Sequence, residues 1–322
     1  MIKPDVEKKS SPEVSIIVPV FNEEMVISKF LDTLKEVLIQ ENIDAEIILV
    51  DDGSTDQTVQ VAQIHSIEKL QIVSLTKNYG HMIAIEAGYS QSSGDFVLSM
   101  DGDLQHPPSL IPKLLREVKE ANTDVVIAFR SNRSEDSPLK KFTAKNYYRL
   151  LRTLTGLDLK ENAADFRIIS REVVDVLLKI QDPKKVYRVL IPSLGFDIKY
   201  LSYIADARFA GETKYSFKKM INLAVESILG GSLKPLKLSF WAGAVAVIVS
   251  VLWSGNIFIG QLNGSVIPGW SSLAVAIIFF SGGQLFSIGV LSLYVAKIYI
   301  ILQNHPRYFV RHNPPKSNPT ID

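Results

Sequence analysis

Hydrophobic and polar positions divide the chain into two parts, which meet near residue 235. In the first part, short apolar runs rich in β-branched residues alternate with segments whose apolar residues recur at helical spacing. Helices are expected after the first run, near 80–92 and near 109–121. Alternating strands and helices of this size predict a parallel sheet flanked by helices, with ligands beyond the carboxyl ends of its strands. The five runs that predict buried strands are Val14–Val20, Ala45–Val50, Leu70–Leu75, Phe96–Met100 and Asp124–Phe129.

The second part is almost continuously apolar. No Asp, Glu, Lys, Arg or His occurs between Leu238 and Ala296. Two runs, 238–260 and about 272–298, each reach the roughly 20 residues that cross a bilayer as a helix. Basic residues flank the pair while the loop between the runs is uncharged, so the positive-inside rule predicts that both flanks are cytoplasmic. We expect a protein of the inner (plasma) membrane with two spans, whose soluble domain and both termini are cytoplasmic.

Composition excludes several functional classes. The formal net charge is +1, which gives no electrostatic support for binding nucleic acid. Cysteine is absent, so disulfides, thiol catalysis and thiolate metal sites are excluded. The turn after the first strand, PVFNEE, contains no glycine, and no G-x-x-x-x-G-K-[ST] motif occurs. Neither a Rossmann dinucleotide site nor a P-loop is therefore expected.

Polar and acidic side chains follow three of the predicted strands: Asn22 and Glu23, Asp51 and Asp52, and Asp101 and Asp103. Residues i and i+2 of an extended strand project to the same side, so Asp101 and Asp103 would converge, and Gly102 would let a ligand approach the backbone. Two carboxylates with room for water and phosphate oxygens suit Mg²⁺ or Mn²⁺. The pair at 51–52 would suit hydrogen bonds to a base or ribose. A solvated turn is the alternative interpretation of any single Asp-x-Asp.

Three segments at these intervals, SIIVPVFNEE, ILVDDGSTDQT and SMDGDLQHPP, resemble the family-2 inverting glycosyltransferases of GT-A fold. ADFRIISREV (164–173) and RFAGETKYSFKKM (208–220) are similar to the narrower group of polyprenyl-phosphate glycosyltransferases, the GtrB and dolichyl-phosphate mannose synthase type. The resemblance implies an α/β GT-A domain, Rossmann-like with a mostly parallel sheet, followed by two transmembrane helices. Processive relatives carry Q-x-x-R-W, and this chain has no Arg-Trp pair, which favours transfer of a single sugar.

The resemblance also implies roles for individual residues. The catalytic residues would be Asp101, Asp103, Asp165 and Arg208. The metal, Mg²⁺ or Mn²⁺, would be held by Asp101, Asp103 and Gln105. The nucleotide sugar would be bound by Pro19, Phe21, Glu23, Asp51, Asp52, Asp101, Gly102 and Gln105. The acceptor phosphate would contact Arg130, Lys141, Arg167 and Lys214. Three histidines receive no chemical role: His65 and His81 are expected to be structural or exposed, and His106 to belong to a helix-start loop before two prolines.

The implied reaction moves one sugar, glucose from UDP-glucose, onto polyprenyl (undecaprenyl) phosphate at the cytoplasmic face of the membrane. A lipid monophosphate has a second pKa near 6 and is already largely anionic at neutral pH, so it needs no general base. Rival substrates on the same fold are GDP-mannose with dolichyl phosphate, or an aminoarabinose donor. A catalytically silent membrane scaffold is the alternative from a different class.

The predicted domain layout follows the chain from end to end. Residues 1–12 form a disordered N-terminus, and 13–213 form the GT-A domain with an amphipathic interfacial helix at about 140–156. A juxtamembrane amphipathic helix (214–235), the two transmembrane helices (236–300) and a cytoplasmic tail (301–322) follow. Basic and aromatic residues at helical spacing are the basis for both amphipathic helices. The two spans could also mediate homo-oligomerisation.

Overall fold

The structure is a computed structural model, and it describes residues 11–130, 152, 160, 163–182, 185–203, 269–303 and 305–311, with scattered helical positions between 236 and 252. Its strands are β1 (Val14–Val20), β2 (Ala45–Asp51), β3 (Leu70–Ser74), β4 (Phe96–Ser99), β5 (Val125–Arg130), β6 (Ala163–Ser170) and β7 (Ile198–Tyr203). Its α-helices are α1 (Ile27–Gln40), α2 (Thr58–Ile64), α3 (His81–Gln91), α4 (Ile111–Glu120), α5 (Arg171–Lys179), α6 (Tyr187–Ser193) and α7 (Trp270–Gln303). A 3₁₀ turn, Pro108–Leu110, precedes α4.

The strands form one seven-stranded mixed sheet in the order β3-β2-β1-β4-β6-β5-β7. The five strands predicted from apolar runs are confirmed to within one residue at each end. All pairings are parallel except those of β6, which runs antiparallel to both β4 and β5. The sheet is therefore mostly parallel, as the GT-A resemblance implies, but β6 and β7 were not predicted as strands.

Helices cover both faces of the sheet, so the α/β domain (residues 11–203) has a core on each side. Alternate residues of β1 point to opposite faces, Ile16 and Val18 towards α1 and α4, and Ile17 towards α3. Helix α3 approaches β1 closely because Gly88 has no side chain, and a Cβ there would overlap the Ile17 side chain. This close packing holds α3 against β1.

Helix α7 is 34 residues long, about 50 Å at 1.5 Å per residue. Its part Phe279–Gln303 is long and apolar enough to cross a membrane, and it is the one such helix among the described residues. The predicted span at about 272–298 lies within α7. The other predicted span, 238–260, and the predicted amphipathic helices at about 140–156 and 214–235 lie largely outside the described residues.

Residues 305–311, which we call the return segment, lie against the edge of the sheet at β3. The backbone N–H of Thr76 donates to the Phe309 carbonyl at 2.9 Å, and the N–H of Arg311 donates to the Ser74 carbonyl at 2.8 Å. Leu75 and Val310 form an antiparallel bridge. The sequence predicts a cytoplasmic tail from residue 301, and the structure shows that its first part packs on the α/β domain.

Candidate active site

The loops after β1 and β2 meet at the carboxyl edge of the sheet and bond to each other. Asn22 has a φ of 55°, and its side-chain oxygen accepts the backbone N–H of Thr55 at 2.9 Å. Its own N–H donates to the Ser54 hydroxyl at 3.0 Å, and the N–H of Glu23 donates to the Thr58 hydroxyl at 2.8 Å. Asn22 therefore joins the two loops.

Asp51 and Asp52 are both buried at the end of β2, with 2% and 3% of their surface exposed. The Asp51 carboxylate accepts the N–H of Ser54 at 2.8 Å. The Asp52 carboxylate accepts the N–H groups of Tyr79 at 2.7 Å and Gly80 at 2.9 Å, immediately before α3. Asp52 thus fixes the start of α3, a role the sequence did not reveal.

Burial raises the pKa of Asp52 above its ordinary value, and the nearby Asp51 carboxylate raises it further. The two backbone hydrogen bonds, from Tyr79 and Gly80, act in the opposite direction because they stabilise the ionised form. Two adjacent carboxylates removed from water make this corner of the site rich in hydrogen-bond acceptors.

The acidic pair after β4 lies on a turn. β4 ends at Ser99, residues 102–103 form a turn, and Leu104 has a φ of 62°. Asp101 and Asp103 therefore do not alternate along an extended strand, which was the basis for expecting them to converge. Gly102 also has a packing role, because a Cβ there would lie 3.1 Å from Val20 Cγ1 and 3.2 Å from Val18 Cγ1.

Within this turn the two carboxylates have different partners. Asp103 accepts the backbone N–H of Gln105 at 3.1 Å. Asp101 is about one-third exposed, and its carboxylate oxygens lie 3.5 Å from His81 Nε2 and 3.6 Å from His106 Nδ1. Asp101 therefore remains accessible at the surface of the site.

His106 is a buried structural element of the turn. Its Nδ1 accepts the backbone N–H of Asp101 at 2.9 Å. The ring stacks on Phe166 with centroids 4.9 Å apart and an interplanar angle of 18°. It lies in the predicted helix-start loop, and it also holds the backbone of the acidic turn against β6.

Asp165 on β6 is paired with two arginines. Arg167 contacts one of its oxygens, and Arg188 at the start of α6 lies 3.3 Å from the other. Burial alone would raise the pKa of Asp165, but the cations Arg188 and Arg167 outweigh it and hold that pKa well below its ordinary value. A general base works best with a pKa near the operating pH, so Asp165 is suited to hold charge and not to take up a proton.

Arg167 lies inside the domain. Its side chain is 1% exposed, and its guanidinium lies 5.8 Å from the centroid of the Tyr187 ring. This position does not suit the predicted contact with an acceptor phosphate. Arg188, about one-third exposed beside the same carboxylate, is a better-placed cation that the sequence did not single out.

His81 is the second residue that the sequence missed. Its Nε2 lies 3.5 Å from Asp101 Oδ1 and 3.8 Å from Asp165 Oδ2, so it stands between the acidic turn and the buried ion pair. The sequence predicts a structural or exposed residue there, because His81 has no partner at metal-ligand spacing. Its place after the carboxyl end of β3 could have indicated the site. His65, in contrast, bonds to Ser28 on α1.

The other predicted residues are placed as follows. Pro19 is buried in β1 opposite Val50, and Phe21 is partly buried at the strand end. For Arg130 only the backbone is described, as the last residue of β5. Lys141, Arg208 and Lys214 lie outside the described residues.

The donor set at the acidic turn fits a divalent cation shared with a ligand. The described part of the chain contains no group of three or more His, Asp or Glu side chains that could hold a metal ion alone. Asp101 and Asp103 would supply hard carboxylate oxygens, and Mg²⁺ typically completes such a set with water and phosphate oxygens. An ion bound there would depend on an anionic ligand for its remaining contacts.

Several proteins resemble this chain in sequence or in fold. The family model described as glycosyl transferase family 2 matches residues 15–178. The uncharacterized glycosyltransferase YkcC of Bacillus subtilis (strain 168) is 37% identical over 93% of this chain and 93% of its own length. The bactoprenol glucosyl transferase of Shigella phage SfII is 35% identical over 93% of this chain and 97% of its own length.

Solved structures support the fold, and one of them serves as an example. Glucosyl-3-phosphoglycerate synthase from Mycobacterium tuberculosis, in complex with Mn²⁺, UDP-glucose and phosphoglyceric acid, has a TM-score of 0.50 and 19% identity. The likeness covers 68% of this chain and 78% of that one.

Proposed function

Because the chain belongs to glycosyl transferase family 2, we propose that this glycosyltransferase moves one glucose from UDP-glucose onto polyprenyl phosphate at a membrane. Its similarity to a bactoprenol glucosyl transferase over almost the full length of both proteins supports this acceptor and this sugar. Undecaprenyl phosphate is the acceptor that we expect. The absence of an Arg-Trp pair agrees with transfer of a single sugar.

The main structural support is the arrangement around Asp101. An accessible carboxylate turn stands beside His81, and the ion pair of Asp165 with Arg188, which is about one-third exposed, lies next to it. A reaction between two phosphate-containing substrates needs metal-binding oxygens for the donor and cations for the acceptor in close proximity. The site places both kinds of group together.

Asp101 and Asp103, with Gln105 nearby, would hold Mg²⁺ or Mn²⁺ against the donor diphosphate. The ion would neutralise the negative charge that grows on the departing nucleoside diphosphate. The buried acceptors Asp51 and Asp52 would face the nucleoside, with Phe21 and Glu23 at the same strand ends. Arg188 would attract the phosphate of the lipid.

The chemistry does not require a base from the protein. A phosphate oxygen of the acceptor, already ionised at neutral pH, would attack the anomeric carbon of glucose as the bond from that carbon to the diphosphate oxygen breaks. The products are glucosyl-phosphoryl-polyprenol and UDP, with inverted configuration at the anomeric carbon. The low pKa of Asp165 agrees with this scheme, because its carboxylate stays ionised and keeps Arg167 and Arg188 in place.

The end of α7 supports the proposed topology. Lys297 Nζ is 2.9 Å from Asp182 Oδ2, so the carboxyl end of α7 lies on the same side as the α/β domain. If α7 crosses the bilayer, Trp270 is on the opposite side, and the chain has to cross once more between residues 203 and 270. The uncharged run 238–260 is long enough to do so. We therefore propose two spans in the inner membrane, with the α/β domain and both termini in the cytoplasm.

Two variants and a panel of donors test this function. Membranes that contain the protein are incubated with polyprenyl phosphate and labelled UDP-glucose, GDP-mannose or an aminoarabinose nucleotide. UDP-glucose should give a lipid-linked product, and Asp103→Asn should lower the rate at least about a hundredfold through lost stabilisation of the leaving group. Asp95→Asn, at the opposite end of β4, is the control and should retain activity. If only GDP-mannose served as donor, the proposal that the transferred sugar is glucose would be contradicted. Unchanged transfer by Asp103→Asn would contradict the proposed metal site.

A further inference from the structure

A buried charge cluster connects the return segment to the helix that presents His81. Glu86, on α3, is 8% exposed and accepts a hydrogen bond from Lys185 Nζ at 2.7 Å. Arg307, in the return segment, pairs with the other Glu86 oxygen. Lys185 also donates to the Leu177 carbonyl at 2.6 Å. One carboxylate therefore joins α3, the segment before α6 and the chain that leaves the membrane helix.

Both elements that Glu86 joins lead directly to the reaction centre. Glu86 lies five residues after His81 on the same helix. Lys185 lies three residues before Arg188, which pairs with Asp165. His81 and Arg188, which flank the buried carboxylate of Asp165, are therefore both on elements that contact Glu86.

Further contacts attach the return segment to the α/β domain. The Tyr308 hydroxyl is 2.8 Å from the Ser90 hydroxyl at the end of α3, and Arg311 donates to the Thr76 carbonyl at 3.1 Å. Lys297, in the last turns of α7, pairs with Asp182. The membrane helix and the α/β domain are consequently joined at several points within a short stretch of chain.

We propose that Arg307 and Glu86 are positioning residues that link the carboxyl end of the membrane helix to the active site. In this scheme Arg307 and Lys185 hold Glu86, Glu86 holds α3, and α3 places His81 between Asp101 and Asp165. Burial of Lys185 without a carboxylate would be costly, so Glu86 is required to keep that cation in the interior. The alignment of the site then depends on a residue that lies beyond the last predicted span.

The test compares two arginines of the return segment. Arg307→Gln removes the link to Glu86, whereas Arg311→Gln removes a contact to the Thr76 carbonyl and leaves Glu86 untouched. Arg307→Lys retains the charge and serves as the rescue variant. Substitution of Glu86 itself is avoided, because Lys185 would remain buried without its partner and the domain could fail to fold.

Hydrogen–deuterium exchange of the full-length protein in detergent is the first readout. Arg307→Gln should increase the exchange of the 81–91 amides about tenfold, the effect of losing one charge-assisted hydrogen bond, while Arg311→Gln and Arg307→Lys should leave it near wild type. Equal exchange in Arg307→Gln and wild type, or an equal increase in both Gln variants, would overturn the proposal.

Kinetics is the second readout, and it rests on the proposed function. The kcat of Arg307→Gln should fall about tenfold while the KM for UDP-glucose stays within about twofold, because alignment of the site and not donor binding is affected. An unchanged kcat would contradict the role of Arg307. If wild type itself transfers no glucose, the proposed function fails, and the exchange measurement still decides whether Arg307 positions α3.

Discussion

Replacement of Asp165 by Asn isolates the charge that this residue contributes. Asn has nearly the same shape, so the change removes the negative charge and leaves the volume in place. Arg167, 1% exposed, loses the carboxylate that it contacts in the described structure, and Arg188 loses a partner at 3.3 Å. The two losses differ in size because Arg167 is buried and Arg188 is about one-third exposed.

The expected cost follows from this difference in burial. Breaking a buried ion pair by removing one partner costs about 3–5 kcal/mol, because it leaves an uncompensated buried charge. Arg188 is partly exposed, so its pair with Asp165 should add less than the buried pair does; a fully solvent-exposed pair is worth only about 0.2–1 kcal/mol. For a domain of this size each kcal/mol lowers Tm by about 2–4 °C, which predicts a fall of about 6–20 °C for Asp165→Asn.

Thermal unfolding of the full-length protein in detergent, followed by far-UV circular dichroism, measures this change. Tryptophan fluorescence is unsuitable, because the three tryptophans lie at 241, 253 and 270, outside the α/β domain. Arg188→Gln is the matched control and should lower Tm by only a few degrees. The double variant Asp165→Asn/Arg167→Met should be more stable than Asp165→Asn alone, because the unpaired buried charge is gone. A Tm for Asp165→Asn equal to wild type, or a double variant less stable than the single one, would refute the reasoning.

Three further predictions use the same protein. The pKa of Asp165 is lower in the folded protein than in the unfolded chain. The ionised carboxylate therefore stabilises the fold above the unfolded pKa near 3.9, and this stabilisation is lost as the pH falls below that value. Tm measured from pH 7 to 3 should decline less steeply in Asp165→Asn than in wild type. Gly88→Ala places a Cβ against Ile17 and should destabilise the domain by about 1–3 kcal/mol in the same thermal assay, and an unchanged Tm would contradict the close packing of α3 on β1. EDTA should abolish glucose transfer, and added Mg²⁺ or Mn²⁺ should restore it; full activity in EDTA would contradict a role for Asp101 and Asp103 in metal binding.

The central strands could be predicted from sequence because they are buried on both faces. A parallel strand covered by helices on either side is mostly apolar, as β1 and β2 are, and its limits are visible in the sequence. β6 has the same environment, but Asp165 and Arg167 interrupt its apolar run. Their charges are tolerated only because they neutralise each other inside the fold, a pairing that the sequence alone does not reveal.

The sequence predicts the edge of the sheet at which the candidate site lies, but not the arrangement of all its side chains. Asp51, Asp52, Asp101 and Asp103 lie at strand ends, as expected, because the carboxyl ends of parallel strands share one edge. The contribution of His81 depends on the path of the loop after β3, which no local pattern specifies.

The contacts of the return segment could not be predicted either, because they join residues that are far apart in the sequence. Arg311 reaches the Thr76 carbonyl across 235 residues of chain. Contacts of this kind form only after both the sheet and α7 are in place, so no local pattern within residues 305–311 predicts them.

The most direct test of the central claim is the structure of the lipid product. Purified protein in detergent is incubated with UDP-glucose, undecaprenyl phosphate and Mg²⁺, and the product is examined by mass spectrometry and NMR of the anomeric proton. The account predicts a lipid phosphate that carries one glucose in the β configuration, inverted from the donor, together with an equal amount of UDP. A product that retains the α configuration, a chain of several sugars, or UDP released without any glycolipid would contradict it.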